Sequence, residues 1–320
     1  MREHIVKHKI IEMLSKGEFI SGEAIGAHLN ISRAAVSKHI KGLQRWGLDI
    51  YSVQRKGYKL ANPIHLLKQD LIQSHTDSLA PVELISVIDS TNQYLLDRVG
   101  SLTNGSICIA EYQSQGRGRR GRQWVSPFGS NLYLSMYWKL EAGMAAAMGL
   151  SLVVGVAIVE ALEKSGIHGV KLKWPNDLYY QDKKLAGILV EMSGQAGGAA
   201  HLVIGMGINI SMPKEIEGID QPWTSLVDAT DQLPERNQLA GTLINAWQEA
   251  LEDYEMKGMS DFVGRWNRLD NFIDRPVKLI LGKKEVKGIV KGINEQGALL
   301  LETPEGIESF IGGEISLRAQ

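Results

Sequence analysis

The sequence predicts an α+β protein of three units on three observations: its length, the uneven placement of its charge, and a change from helical to strand periodicity along the chain. At ~150 residues per domain, 320 residues make about two domains, or three small ones. Hydrophobic residues at 44% and charged residues at 22% are ordinary for a chain that buries a core, which excludes disorder, collagen and a disulfide scaffold. The net charge of −1 conceals an asymmetry: residues 1–60 hold eleven Lys/Arg against five acids, a net of +6, so the remainder carries −7. That implies a nucleic-acid-facing N-terminal unit joined to a body with other work. The only cysteine, Cys108, has no partner, and no apolar signal segment follows the N-terminal charges, so a reduced, cytoplasmic location is expected.

The N-terminal elements follow in order. Ile5, Ile10, Ile11 and Leu14 recur at helical spacing and Gly17 supplies a stop. A second helix runs from about Gly22 to Leu29, Asn30 makes a turn, and Ser32 is placed as the N-cap of a third helix that ends near Gly47. Val36, Ile40 and Leu43 form its apolar stripe, while Arg33, Ser37, Lys38, Lys41 and Arg45 form a polar face suited to phosphates and base edges. This is a helix-turn-helix with a recognition helix. Asp49 to Val53 and Tyr58 to Leu60 alternate in polarity around Gln54-Arg55-Lys56-Gly57, a basic-tipped hairpin that makes the unit winged. Ser32, Arg33, Ser37, Lys38, Lys41, Arg55 and Lys56 are therefore expected to face DNA; a solvated basic surface for protein contacts is the plainer alternative. His4 and His8 lack a third ligand and are not read as a metal site. Ala61-Asn62-Pro63 breaks the pattern and closes a domain at residues 1–63.

In the body, Ala142 to Val159 reaches the ~18-residue lower edge of a membrane span. Gly143, Gly149, Ser151 and Gly155 dilute it and no basic flank accompanies Glu141 or Glu160, so a buried core helix is expected and no membrane. Strands are expected at Ser106 to Tyr112, Asn131 to Leu140, Val170 to Trp174 and Leu202 to Ile210, with a hairpin joining Leu178–Tyr180 to Lys184–Glu191. Four short strands follow about Asn271: Val277 to Leu281, Glu285 to Ile293, Ala298 to Glu302 and Glu308 to Ile311, separated by Gly, Asn and Pro. They predict a small SH3-like barrel over 271–320 and leave 64–270 as the central domain.

Gly116 to Gly121, GRGRRG, satisfies the G-x-G-x-x-G dinucleotide pattern, but Arg122 to Pro127 cannot open the helix that pattern requires. Kinase and P-loop signatures are also missing. What is left is a glycine-rich loop with Arg117, Arg119, Arg120 and Arg122 beside Trp124. Forked guanidiniums and close backbone approach suit a doubly anionic ligand, with a second nucleic-acid contact as the alternative. A loop so charged is expected to be mobile when empty. Val170 to Trp174 leads into Pro175-Asn176-Asp177, a turn displaying an amide and a carboxylate, and Gly205 and Gly207 interrupt a later strand where a ligand can approach. No Ser-His-Asp, paired-carboxylate or Cys-His arrangement stands out. Cations and amides without a nucleophile suit a reaction whose nucleophile is the substrate's own carboxylate, attacking the α-phosphate of ATP with Mg²⁺ guiding the pyrophosphate.

Four segments, GRGRRGRQWVSP (116–127), KWPNDL (173–178), KLAGILVE (184–191) and GMGIN (205–209), resemble biotin-protein ligases. With the N-terminal winged helix, the whole chain is similar to the bifunctional bacterial form, ligase and biotin-operon repressor together. The resemblance implies a mixed-sheet, class II synthetase-like catalytic domain. It implies activation of biotin by ATP to biotinyl-5′-adenylate and transfer to a lysine of the biotin carboxyl carrier protein of acetyl-CoA carboxylase. An adenylate-bound homodimer would repress the biotin operon at its operator DNA, with the adenylate as corepressor. Carried over by motif, Ser90, Thr91, Asn92, Gln113, Gly116, Arg117, Gly118, Arg119, Lys184 and Gly187 would line the biotin and adenylate pocket, with Arg119 and Lys184 catalytic. Trp124, Lys173, Asn176, Asn209 and Arg318 would address the nucleotide, and Asp177 the magnesium ion. The segment Ser211 to Leu226, with Trp223, matches a second active-site loop without a motif to assign its residues. A ligand-sensing repressor without turnover, or a ligase for another carboxylic acid such as lipoate, are the competing readings.

Overall fold

The computed structural model describes residues 2–194, 198–311 and 315–319. α1 (Arg2–Leu14), α2 (Gly22–Leu29) and α3 (Arg33–Gln44) precede a hairpin of β1 (Ile50–Val53) and β2 (Gly57–Leu60), the expected winged unit. Asn30 ends α2 in the left-handed region at φ 53, and Ser32 Oγ caps α3 by accepting from Ala35 N at 3.2 Å. α3 stops at Gln44 rather than near Gly47, because Trp46 N and Gly47 N turn back to Leu43 O and Gln44 O and Gly47 sits at φ 85. Ile10, Leu14, Ile25, Val36, Ile40 and Leu43 form this unit's own core, and Phe128 from the body completes it.

In the body, α4 (Gln69–Ser74), β3 (Val82–Leu84), β4 (Val87–Ile88), α5 (Thr91–Leu96), β5 (Ile107–Ala110) and β6 (Tyr112–Gln113) lead to β7 (Asn131–Leu140) and α6 (Leu150–Lys164). β8 (Lys171–Lys173), β9 (Asp177–Tyr180), β10 (Lys183–Ser193), β11 (Ala200–Asn209), α7 (Arg236–Lys257) and α8 (Ser260–Leu269) follow. Seven strands pair in the order β3-β5-β7-β11-β10-β9-β8, antiparallel except for β3 with β5, so the sheet is mixed. Alternation sorts its two faces. Leu132, Leu134, Met136, Leu202, Ile204, Met206 and Ile208 enter one core with α6 and α7, which leaves Tyr133, Ser135, Gly205 and Gly207 on the other face.

The apolar stretch expected to be helical from Ala142 breaks differently. Met144–Ala147 is a 3-10 turn, Gly149 lies at φ 89, and α6 begins only at Leu150. It then continues past Val159 because Glu160 and Glu163 pair with Arg265 and Arg268 of α8, at 2.6 and 3.1 Å. Among the described residues no helix is long and apolar enough to cross a membrane.

The C-terminal unit has five antiparallel strands rather than the expected four: β12 (Pro276–Leu281), β13 (Lys284–Ile293), β14 (Leu299–Thr303), β15 (Gly306–Phe310) and β16 (Ile315–Ala319), in the order β15-β14-β13-β12-β16. Gly312 and Gly313, two of the glycines that punctuate the strand pattern, lie outside the described residues. Val277, Leu279, Val290 and Leu301 continue the core of the body, and Trp174 Nε1 donates to Gly297 O across the join at 3.1 Å.

Candidate active site

The site is a row across the sheet. Gly207 on β11, Gly187 on β10, Asp177 on β9 and Lys173 on β8 stand side by side in register. The glycines clear space: a Cβ at Gly205 would lie 2.0 Å from Asn92 Oδ1, and one at Gly207 2.2 Å from Trp124 Nε1. Asn92 and the Trp124 indole therefore rest directly on the sheet. A bulge between Lys184 and Ala186 adds one residue to β10, so Leu185 and Ala186 both enter the core while Lys184 shares the pocket face with Gly187.

A cavity of ≈ 470 Å³ lies over the row. At its inner end Thr91 N and Oγ1 donate to Gln113 Oε1, Ser135 Oγ donates to Asn92 Oδ1 at 2.6 Å, and Asn92 Nδ2 donates to Glu191 at 2.8 Å. Ser90 caps α5 with its hydroxyl. In the middle, Lys184 Nζ stands 2.9 Å from Asp177 Oδ1, and Arg119 donates to Asn176 Oδ1 at 3.1 Å. Burial, then the neighbouring Arg120 charge, pull the Arg119 guanidinium below its ordinary range, and Asp177 opposes them. Beyond Lys173 the cavity continues to Tyr179, Asp182, Phe272 and Arg275.

A second cavity of ≈ 450 Å³ lies across Trp124 and Lys184, lined also by Asn209, Trp223 and residues 218–221. Its wall is set by backbone: Lys184 N donates to Pro222 O and Thr224 N to Lys184 O, at 3.0 and 2.9 Å. The Asn209 amide is committed to that wall, donating to Thr224 O at 3.0 Å.

The Gly-Arg loop covers the middle of the row as a short hairpin. Trp124 N donates to Gly116 O and Gly118 N to Arg122 O, with Arg120 at the tip at φ 60. Arg117 forks onto Glu191 at 3.0 and 3.2 Å, which fastens the loop to β10.

Of the residues expected in the pocket, Ser90, Thr91, Asn92, Gln113, Arg117, Gly118, Arg119, Trp124, Lys173, Asn176, Asp177, Lys184 and Gly187 all line the first cavity. Asn209 lines the second. Gly116 lines neither: a Cβ there would meet Trp124 O at 2.5 Å, so it closes the base of the hairpin. Arg318 lies on β16 opposite Lys278, and its side chain is outside the described residues. Sequence reasoning placed Trp223 in a second active-site loop without a role, and missed Glu191 as the anchor of the Gly-Arg loop, Pro222, and the wall of Phe272 and Arg275. Glu191 stood inside a quoted motif; the others are brought in by pairing across the fold that no local pattern announces.

Among the described residues no three His, Cys, Asp or Glu gather as a metal cage. Magnesium is usually held by one or two carboxylates together with substrate phosphates, and Asp177 on a cationic row fits that donor set. On the winged unit Ser32, Arg33, Lys38, Lys41, Arg45, Arg55 and Lys56 are exposed and Ser37 is half-buried; the Ser32 hydroxyl oxygen also accepts from Ala35 N in the cap.

Three family models match in register with this architecture: HTH domain over residues 6–59, Biotin/lipoate A/B protein ligase family over 84–209, and Biotin protein ligase C terminal domain over 272–318. The chain is 55% identical over 320 residues to the bifunctional ligase/repressor BirA of Salmonella typhimurium, covering 100% of this chain and 99% of the relative. It is 29% identical over 323 residues to the protein of the same name from Bacillus subtilis, covering 98% of each. Among solved structures, a biotin protein ligase from Aquifex aeolicus in complex with biotin and ATP is 31% identical, with a TM-score of 0.65, over 75% of this chain and 99% of that one. A match of that identity along the entire chain, DNA-binding unit included, places it in the family of bifunctional biotin ligase/repressors.

Proposed function

We propose that the protein couples biotin to ATP as biotinyl-5′-adenylate, transfers the biotinyl group to a lysine of a biotin carboxyl carrier protein, and as an adenylate-bound dimer represses the biotin operon in the cytoplasm. The observation that carries this reading is the pair of chambers meeting at Trp124 and Lys184, beside Arg119 and Asp177 and beneath the Gly-Arg loop. A two-part ligand joined by a charged centre matches a two-part site with cations at its junction.

The inner chamber, with Ser90, Thr91, Asn92 and Gln113, offers paired donors and acceptors for the polar ring of biotin. The second chamber, between Trp124 and Trp223 and floored by Asn209, takes the flat apolar face of adenine. A carboxylate oxygen of biotin then attacks the α-phosphorus and the bond to pyrophosphate breaks. The carboxylate is already ionised, so no general base is needed. Lys184 and Arg119 neutralise the charge that gathers at the phosphorus, in a half-buried setting where such donors act more strongly than in water. Asp177 would hold magnesium, which when bound would supply further neutralisation on the leaving group. Lys173, Asn176 and, from the C-terminal strand, Arg318 address the nucleotide. The carrier's lysine amine then attacks the acyl carbon, AMP leaves and the amine loses a proton.

Residues 1–63 are the DNA-binding domain, with Ser32, Arg33, Ser37, Lys38, Lys41, Arg55 and Lys56 facing the operator and Ser32 also capping the recognition helix. Residues 64–270 are the catalytic and dimerisation domain and 271–320 the C-terminal domain. Two such recognition helices in a dimer fit a palindromic operator.

Native mass spectrometry after incubation with biotin and Mg-ATP tests the chemistry. Retained biotinyl-adenylate with released pyrophosphate is expected. Biotin retained without pyrophosphate would favour a sensor that does not turn over, and no retained biotin would refute the substrate.

A further inference from the structure

We propose that Arg275, from the C-terminal unit, binds the pyrophosphate end of ATP and holds the leaving group in the adenylation step. The inference rests on the ligase reading above and extends it to a residue outside its motifs. An α-phosphate under attack needs three directions of space: one for the incoming carboxylate, one for the nucleoside and one for the departing pyrophosphate. The inner and second chambers account for two. The third is the continuation of the first cavity past Lys173, where Tyr179, Asp182, Phe272 and Arg275 form its walls.

That arm is built to present cations. Leu172 O accepts from Asn271 N at 2.7 Å, which seats the start of the C-terminal unit against β8. The buried Phe272 ring then backs two charges at once, Arg275 Cζ 4.8 Å and Lys173 Nζ 6.0 Å from its centroid. Asp182, on the β9–β10 turn, orients the guanidinium through bonds of 2.8 and 3.4 Å, and Asn271 O accepts a third at 3.0 Å. The Asp182 carboxylate is itself positioned by Asn271 Nδ2 at 2.8 Å. Arg275 Nε makes no hydrogen bond among the described residues, so one edge of the fork stays available to an acceptor. A planar fork with a free edge, next to a lysine and at the end of a row leading from Lys184, suits a pyrophosphate oxygen pair. Transfer of the pyrophosphate away from the reacting phosphorus would thus depend on the C-terminal unit being docked.

The test uses the full chain with Arg275→Ala and Arg275→Lys. Arg275→Ala should raise the KM for ATP and weaken inhibition by added inorganic pyrophosphate by about tenfold each, the size of one lost charge-assisted hydrogen bond. Biotin affinity, titrated without nucleotide, should not change, and Arg275→Lys should recover part of both losses. Unchanged ATP and pyrophosphate parameters would overturn the proposal. So would a parallel fall in biotin affinity, which marks a structural role, or a defect confined to transfer onto the carrier, which marks an acceptor contact. A parent protein that releases no pyrophosphate at all would sink the ligase reading, and this one with it; an active parent beside an unaffected Arg275→Ala sinks this one alone.

Discussion

Asp270 makes the join between the catalytic sheet and the C-terminal unit sensitive to pH. It is 4% exposed, at the end of α8, and forms a bridge with Leu172 of β8. Oδ1 accepts from Phe272 N at 2.8 Å, whereas Oδ2 is buried without a hydrogen bond. Burial pushes this carboxyl from 3.8 up to about 6, against the weaker pull of the Phe272 N–H and the nearby Trp266 indole. The folded state therefore holds the proton more tightly than the unfolded chain. The stabilisation is complete below pH 3.8, fades as pH rises toward 6 and is absent above it. At 1.36 kcal/mol per unit the full effect is about 3 kcal/mol, and between about pH 4.5 and 7.5 about 2 kcal/mol of it is lost. Urea unfolding of the parent and of Asp270→Asn, followed by tryptophan fluorescence at matched m-values, reads this out. Asn keeps the acceptor for Phe272 N and never ionises; its unpartnered amide adds a constant offset. The parent's stability relative to the variant should fall by about 2 kcal/mol over that range. A difference that does not vary with pH, or a carboxyl that titrates by NMR at its ordinary value, would refute the reasoning.

Four other outcomes are expected. Arg119→Ala removes a half-buried guanidinium from the junction of the two chambers and should speed dissociation of biotinyl-adenylate; an unchanged dissociation rate strikes Arg119 from the site. Gly207→Ala would set a Cβ 2.2 Å from the Trp124 indole and displace it, weakening adenylate retention, with an overpacking cost of about 1–3 kcal/mol in thermal or urea unfolding. Lys38→Ala and Lys41→Ala should each lower operator affinity and reduce the slope of log affinity against log salt by about 1. Deleting residues 1–63 should abolish operator binding and leave a folded body of reduced stability, since Phe128 loses the core that buries it; loss of folding would move the boundary.

Legibility in the sequence followed the range of the interactions. The winged unit could be read almost residue by residue because local signals define it: Ser32 as a cap, Asn30 as a turn, and Val36, Ile40 and Leu43 as one stripe. Asn131–Leu140 was likewise readable end to end, since one of its faces is core and alternation marks it. The apolar run near α6 misled because composition cannot say where a glycine will take positive φ, nor that α8 would pair with Glu160. Pocket residues were legible where they cluster in sequence, as in 116–127 and 173–178. Arg275 was not, because it reaches the first cavity through domain docking, and Trp223 was legible only as a member of a loop, its place at the second cavity being set by backbone bonds from Lys184 to its two neighbours. A strand bulge is equally silent in sequence, yet it is the bulge at β10 that turns Lys184 toward the pocket.

The DNA-binding unit and the domain that carries the ligand site meet through one aromatic contact. Trp46, just beyond the recognition helix, stacks with Tyr112 at 5.0 Å and with Phe128 at 6.0 Å, and Lys7 Nζ lies 4.5 Å from the same ring. Phe128 N donates to Trp46 O at 2.8 Å, and Gly47 passes so close that a Cβ would lie 2.7 Å from Pro127. Tyr112 and Phe128 are also the two ends of the segment that carries the Gly-Arg loop. Behind them the Arg236–Glu111 pair, buried and 2.6 Å apart, ties the interdomain link to the sheet: Glu111 accepts from Leu67 N, while Arg236 donates to His65 O and Asn131 O. Removing one partner of such a pair strands a buried charge at a cost of about 3–5 kcal/mol, so the link is firmly seated. A close-packed aromatic contact has few alternative arrangements, so both ends of the segment that carries the loop are fixed against the DNA-binding unit. The DNA-binding unit therefore shares one core with Tyr112 and Phe128, the residues that flank the loop over the ligand site.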